Sequence, residues 1–444
     1  MKGVLSMATL HENHLIFNSQ MSISNNGGNL STDSGLILAK EFMHKINFTK
    51  VLKEKLTIND NRLYYKHDNY SIIEQLLFHL IAGYKTDSSA DILSKDPIFQ
   101  SVLGKERLAS QPSISRLWDR LSQENIDQLQ EVNQVLIDKV RTTRNTNELI
   151  FDLDSTHSDT FGYQENTNYN AHYQTNGYHP LVAFDGLTGD FLKAELRSGN
   201  VYTSNGVGDF VRPLFEHYQE TTPVNTILVR ADSGFATPDL YEICEEFQSF
   251  YVIRLKSNRN LGKIAEQFVF IDDNHDWTKK EVRYISTIYQ AKSWKKPRRL
   301  CIKSTREANE LIARHEFVLT NLSENTSAEI VFGTYSKRGT MENYIKEAKN
   351  GFYFDKTDSP RFLENHARMM LSLLAYNIIN FMRTLCFTKE TKGFQVSTIR
   401  LFLFKIAGKF VRSGRKTVIK LSSYHVHQEL FYKILQNIQY LRWR

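Results

Sequence analysis

Three acidic residues stand where carboxylates could act together. Asp154 lies near the end of the apolar segment ELIFDLDST (148–156), Asp232 directly follows the apolar run ILVRA, and Glu342 lies within YSKRGTMENYIKEAK (335–349). A charged group at the end of an apolar strand is costly unless it is paired or bound to a cation. Oxygen-only donors suit Mg²⁺ or Mn²⁺, which favour carboxylate and water over His or Cys. Two such ions about 3.5–4 Å apart can activate water or a 3′-hydroxyl and stabilise the leaving oxygen of a phosphodiester. Taken singly, each acid is ordinary, because Asp after a strand is a common turn residue. Asp152 also shares a strand face with Asp154, so periodicity alone does not choose between them.

Cations accompany the third acid. On a helix turning about 100° per residue, Tyr335, Arg338, Glu342 and Lys349 fall within roughly 60° of one another, and Lys346 joins them. One acid flanked by cations and a tyrosine suits a helix that holds a metal and grips phosphates. The plainer reading is an exposed helix with a Glu342–Lys346 ion pair. Gly339 costs such a helix about 1 kcal/mol, so it can begin near Thr340 and leave Tyr335 and Arg338 on its entry loop. Trp294, in the cluster KSWKKPRR (292–299), could stack on an extruded base. Against that stands a half-buried strand Trp, and Trp277 competes for the role.

These residues need elements to position them. Residues 1–145 read as mainly helical, with helices over 71–84 and 111–123; the second carries Arg116 after a Ser/Pro turn, in the manner of a helix-turn-helix reader. From 148 onward the order is strand, hairpin around Gly-Leu-Thr-Gly, helix, strand, helix, strand, which describes a mixed α/β sheet. Residues 257–333 hold four strand candidates (VRYISTIYQA, RRLCIKST, HEFVLTNL, EIVFGTY) and read as an inserted β-rich subdomain. A helical stretch over about 335–350 and a long apolar helix over 361–386 follow. The expected organisation is a helical region 1–145, a catalytic core formed by 146–256 and 334–390, the insertion 257–333, and a basic segment 391–444.

Composition narrows the class. The 444 residues are 41% hydrophobic and 24% charged, ordinary values for a folded protein of two or three domains. Three widely spaced cysteines argue against a zinc ribbon or a disulfide framework. No early apolar run resembles a signal peptide, and the apolar stretch 369–382 is short for a bilayer and contains Asn377 and Asn380. A cytoplasmic protein without a membrane partner is expected. Residues 401–444 hold nine Lys and Arg against Glu429 alone, so this segment outweighs the whole chain's net +7. Its GKFVRSGRKTVIKLS reads as a basic hairpin whose Arg412, Arg415 and Lys416 suit a polyanion such as a phosphate backbone.

The motifs together carry a resemblance. Tyr335, Arg338, Glu342 and Lys349 match Y-(2)-R-(3)-E-(6)-K, the signature of a large class of bacterial insertion-sequence DDE transposases. DLDST (152–156) and VRADSGF (229–235) resemble that class's first and second aspartate motifs. STDSGLILAKEF, GYHPLVAFDGLTGDFLKAELRSGN and ENHARMMLSLLAYNIINFMRTL resemble the insertion sequence 1380 group, so the similarity spans nearly the whole chain. The resemblance implies an RNase H-like catalytic core interrupted by a β-rich insertion between the second Asp and the Glu. It implies Asp154, rather than Asp152, as a catalytic metal ligand with Asp232 and Glu342, holding two Mg²⁺ or Mn²⁺. Arg338 and Lys349 would contact DNA phosphates, supported by Tyr335. The partners it implies are double-stranded DNA, at element ends and target, and a second copy of the chain. The rival readings are a domesticated DNA-binding protein without catalysis and a stand-alone nuclease of the same core. A glycosidase with paired carboxylates would leave the basic tail without a role.

Overall fold

A computed structural model describes residues 14–220, 224–269 and 276–443. The N-terminal region is helical, with α1 (Ile37–Lys45), α2 (Asn69–Ala82), α3 (Gln111–Trp118) and α4 (Gln123–Arg144) as its main elements. Local chemistry fixes their ends. The Asp68 carboxylate accepts from Ser71 N at 2.6 Å to start α2, and Gly83 stops it at φ +93°, a region that favours glycine. Ser122 and Asn125 form a reciprocal capping box at the start of α4.

The sheet that follows has eight strands: β1 (Glu148–Ser155), β2 (Leu181–Asp185), β3 (Phe191–Glu195), β4 (Thr226–Ala231), β5 (Phe250–Leu255), β6 (Glu281–Tyr289), β7 (Arg298–Arg306) and β8 (Arg314–Thr320). Their spatial order is β6-β7-β8-β5-β4-β1-β2-β3. β1, β4 and β5 run parallel, and every other neighbouring pair is antiparallel. Helices α5 (Val207–Glu220) and α6 (Pro238–Glu246) connect β3 to β4 and β4 to β5. Leu149, Phe151 and Leu153 of β1 are all buried, and Phe151 meets Phe215 of α5 with ring centroids 5.1 Å apart. The alternate residues, Asp152 and Asp154, therefore face the other side of the sheet.

That side receives α7 (Ala328–Ser336), α8 (Gly339–Phe352) and α9 (Phe362–Cys386). Two expectations change here. EIVFGTY is helix, not strand: Ser327 caps it by accepting from Ile330 N, and Val331 and Phe332 bury against the sheet, so tertiary packing overrides β propensity. The helical stretch 335–350 is two helices broken at Lys337 and Arg338, so Tyr335 ends one helix while Glu342 sits in the first turn of the next. Residues 257–333 do supply strands, but β6–β8 extend the central sheet through β8 beside β5, with Val252 opposite Thr320.

The helix α9 is long and apolar enough to cross a membrane by length and composition, yet the apolar window is 89% buried within the protein. It packs against α1, α2, α4 and α8 and joins the helical region to the core. Near the C-terminus, β9 (Gly408–Ser413) and β10 (Lys416–Leu421) form a hairpin with a two-residue turn, and α10 (Gln428–Tyr440) packs on α1 and α9. Gly414 supplies the turn's positive φ of +60°.

Candidate active site

The parallel register of β1 and β4 sets Leu153 opposite Ala231. Asp154 and Asp232 occupy the next position on each chain, at the C-terminal ends of strands about 4.8 Å apart. Asp154 Oδ1 accepts from Ser155 N at 2.9 Å, and Asp232 Oδ1 accepts from Gly234 N at 2.9 Å, which fixes both carboxyl groups. Arg338, at the break between α7 and α8, comes down onto this corner. Its Nη2 lies 2.9 Å from Asp154 Oδ2 and donates to Leu153 O at 3.2 Å. The guanidinium is buried, at 8% exposure.

The corner holds more negative charge than one arginine neutralises. The Asp154 carboxyl is raised to about 6, first by burial, with Arg338 pulling it down and Asp232 and Glu342 pushing it up. Glu342 thus acts electrostatically on Asp154 from the first turn of α8, where its own side chain is exposed. Among the described residues, no three His, Cys, Asp or Glu side chains stand close enough together to hold a metal ion. The donors match a hard divalent cation in kind, being carboxylate oxygens with surplus charge, while Arg338 occupies part of the corner.

One step back along the same two strands, Asp152 and Arg230 are register partners. The Arg230 Nε and Nη2 donate to the two Asp152 oxygens at 2.6 Å each, with both side chains almost fully buried. Arg230 Nη1 also donates to Thr334 O, which ties α7 to the sheet. Gly186 is required beside this pair, since a Cβ there would come within 2.4 Å of Arg230 Nη2 and Asp152 Oδ2. Periodicity left Asp152 and Asp154 equivalent and only the family resemblance favoured Asp154; the structure gives Asp152 a bidentate partner and leaves Asp154 at the strand's end.

The remaining candidates disperse. Lys349 Nζ donates to His157 O at 2.5 Å, bracing the segment after β1, with Asp355 3.9 Å away. Tyr335 is half-buried, its hydroxyl held above the ordinary range chiefly by burial. Lys346 is exposed on α8, Arg116 on α3, and Arg412, Arg415 and Lys416 around the hairpin turn. Trp294 requires a correction. It is only 7% exposed, with the rings of Tyr241 and Tyr289 at 5.6 and 5.4 Å and the Arg298 guanidinium at 5.6 Å. A base could stack on it only after this cluster came apart. Trp277 has the Arg306 guanidinium 5.3 Å from its ring centre.

Two residues near the acids escaped the sequence reading. Tyr173 stacks on His157 at 4.7 Å, and its hydroxyl is raised first by burial and then by Asp154 and Asp232. Arg230 could have been noticed, since it stands two residues before Asp232 as Asp152 does before Asp154.

With this geometry in place, comparison with known proteins assigns the class. The family described as transposase DDE domain group 1 matches residues 13–443, and the chain belongs to that family. No curated protein matches it significantly. Among solved structures, a piggyBac transposase synaptic complex with hairpin DNA is similar at 13% identity, covering 83% of this chain and 79% of that one, with a TM-score of 0.44.

Proposed function

We propose that this DDE-family transposase is an insertion-sequence enzyme of the 1380 group, with an RNase H-like core. It cuts DNA at the ends of its element and joins the freed end to target DNA in a divalent-metal-dependent reaction. The observation that carries this reading is the placement of Asp154 beside Asp232 on parallel neighbours, with Glu342 in electrostatic reach. The strand order β3-β2-β1-β4-β5, antiparallel in its first half and parallel in its second, supports the RNase H-like assignment.

Asp154, Asp232 and Glu342 would hold two Mg²⁺ or Mn²⁺ ions. When bound, such ions supply Lewis-acid activation of the attacking oxygen and stabilise the leaving oxygen. The chain's own residues do the positioning. The N–H groups of Ser155 and Gly234 hold the aspartates in one orientation. The Arg230–Asp152 pair fixes β1 against β4, so the two strand ends keep their relation. Arg338 offsets the charge of Asp154 in the free protein and would turn its guanidinium to a DNA phosphate when substrate enters. Lys346, Lys349 and Tyr335 would line the same approach. Arg116, Arg412, Arg415 and Lys416 would contact duplex backbone further out. Such an enzyme works in the bacterial cytoplasm on chromosomal DNA, as a homodimer that brings two element ends together.

The test uses purified full-length protein, labelled DNA carrying the element end, and Mg²⁺. Nicking followed by joining is expected, and Asp232→Ala is expected to lose both while still binding the DNA. Nicking without joining favours a nuclease, and binding without metal-dependent nicking favours a non-catalytic DNA-binding protein.

A further inference from the structure

The chain does not pass directly from β1 to β2. Between them it folds a small three-stranded sheet from Ser158–Asp159, Asn168–Asn170 and Thr175–Tyr178, with the last of these in the middle. The segment starts just beyond Asp154, and amide side chains tie it down on both sides. Asn168 Nδ2 donates to Ser198 Oγ at 2.7 Å and Asn170 Nδ2 to Gly199 O at 2.8 Å, in the loop after β3. Gln164 Nε2 donates to Thr357 O at 2.6 Å, between α8 and α9.

Two tyrosines of this region adjoin the acid corner. Asp154 and Asp232 both act on the Tyr173 hydroxyl, and the Tyr173 ring is held by His157, stacked at 4.7 Å, and by His179 at 6.1 Å. Gly177 makes room for His157, since a Cβ there would lie 2.6 Å from the imidazole. Tyr202 adjoins the corner through its neighbour Thr203. The Thr203 Oγ1 lies 3.0 Å from Ser155 Oγ, and its methyl would lie 3.0 Å from a Cβ on Gly234. Ser155 and Gly234 are the residues whose N–H groups hold the two aspartates. Tyr173 and Tyr202 are 41% and 63% exposed, and Phe161, Tyr163 and Tyr169 of the small-sheet segment are 79%, 92% and 56% exposed.

These rings lack the company that a phosphate backbone needs. No lysine or arginine occurs between Arg144 and Lys193, while Asn, Gln and Thr are frequent and Asp159 and Glu165 add negative charge. Lys349, which reaches the segment from α8, is committed to His157 O. Duplex DNA presents its phosphates and keeps its bases stacked inside. Aromatic rings among amides suit the other part of a nucleotide, the base, through stacking on its face and hydrogen bonds to its edge. We propose that Tyr173 and Tyr202, with the exposed rings of 158–178, form a stacking site for unpaired nucleobases of the DNA strand at the cut. The choice of DNA as ligand rests on the proposed function, whereas the site itself rests on exposed rings and missing cations beside the acids. Trp294, the ring that the sequence offered for stacking, is enclosed, and the exposed rings lie here instead.

Binding measured without metal tests this separately from catalysis. The probes are a blunt DNA duplex and the same duplex with a single-stranded extension carrying 2-aminopurine. The full-length wild type is expected to quench the 2-aminopurine and to bind the extended duplex about tenfold more tightly than the blunt one. Tyr173→Ala combined with Tyr202→Ala should lose both effects while keeping the blunt-duplex affinity and the melting temperature. Tyr173→Phe with Tyr202→Phe should keep both effects, because stacking needs the ring and not the hydroxyl. Should the double alanine variant fail to fold, Tyr202→Ala alone, at an exposed position, reads the same loss in part. Quenching by a wild type that does not cut DNA once Mg²⁺ is added supports the site and refutes the reading of the acids. Absence of quenching by the wild type, or quenching that survives the alanines, overturns the proposal.

Discussion

Asp152 and Asp154 lie two residues apart on one face of one strand, beside the same neighbouring strand, and meet opposite fates. Asp152 is sealed and has both oxygens matched by a single guanidinium. Asp154 stands at the strand's end with Asp232 next to it, Glu342 acting on it, and one Arg338 facing several acids. The difference is one of charge balance. A buried acid with a bidentate cation is a finished structural unit, whereas the corner at Asp154 keeps more acid than its one arginine offsets.

Substitutions at the two acids should act on different properties of the protein. The largest effect is expected at the open corner: Asp232→Ala should reduce DNA cleavage by about 10³-fold or more, with DNA binding retained in a mobility-shift assay. At the sealed pair the effect should move from activity to stability. Asp152→Ala leaves the Arg230 charge buried and unpaired and should cost about 3–5 kcal/mol in denaturant unfolding. Replacing both partners, Asp152→Leu with Arg230→Met, should recover most of that loss.

A third effect follows from the raised carboxyl of Asp154. Its ordinary value is 3.8 and its folded value about 6. As pH rises between these values the unfolded chain ionises first, so this group weakens folding across that window, and the loss persists above it. Asp154→Asn should therefore raise stability at pH 8 by about 1–3 kcal/mol, with the gain disappearing below about pH 4. With Mg²⁺ well below saturation, wild-type cleavage should weaken as pH falls through the raised range of the metal-free Asp154 carboxyl, because the proton competes with the metal. Removing Arg338, which holds the carboxyl down, should move the midpoint of this loss upward. The smallest effect on the fold is expected at the hairpin: neutralising Arg412, Arg415 and Lys416 together should leave the melting temperature unchanged. It should make DNA binding less salt-dependent, by up to about 0.9 in the log–log slope per lost phosphate contact.

Much of this architecture was legible in the sequence because its signals are local. The apolar runs ending in Asp154 and Asp232, the Gly186–Gly189 turn, the long helix α9 and the basic hairpin all declare themselves within a few residues. What was illegible depends on distant partners. Asp152 and Arg230 meet across 78 residues of chain, so nothing near Asp152 marked it as the paired acid. EIVFGTY has strand composition but becomes helix because the sheet beneath it accepts Val331 and Phe332. Trp294 sits in a run of cations that left both a base-stacking and a half-buried reading open, and Tyr241, Tyr289 and Arg298, none of them marked as its neighbours by the sequence pattern, close around it. The Arg338–Asp154 ion pair likewise joins residues far apart in the chain.

The proposed function requires Asp154, Asp232 and Glu342 to gather around divalent metal. Iron-directed cleavage of the polypeptide tests it most directly: Fe²⁺ bound to the DNA-loaded protein, followed by peroxide and ascorbate, cuts the backbone close to the ion. Cuts are expected near residues 154, 232 and 342, competed by Mg²⁺ and absent from Asp232→Ala. Cuts elsewhere, or cuts at these positions that persist in Asp232→Ala, would contradict it.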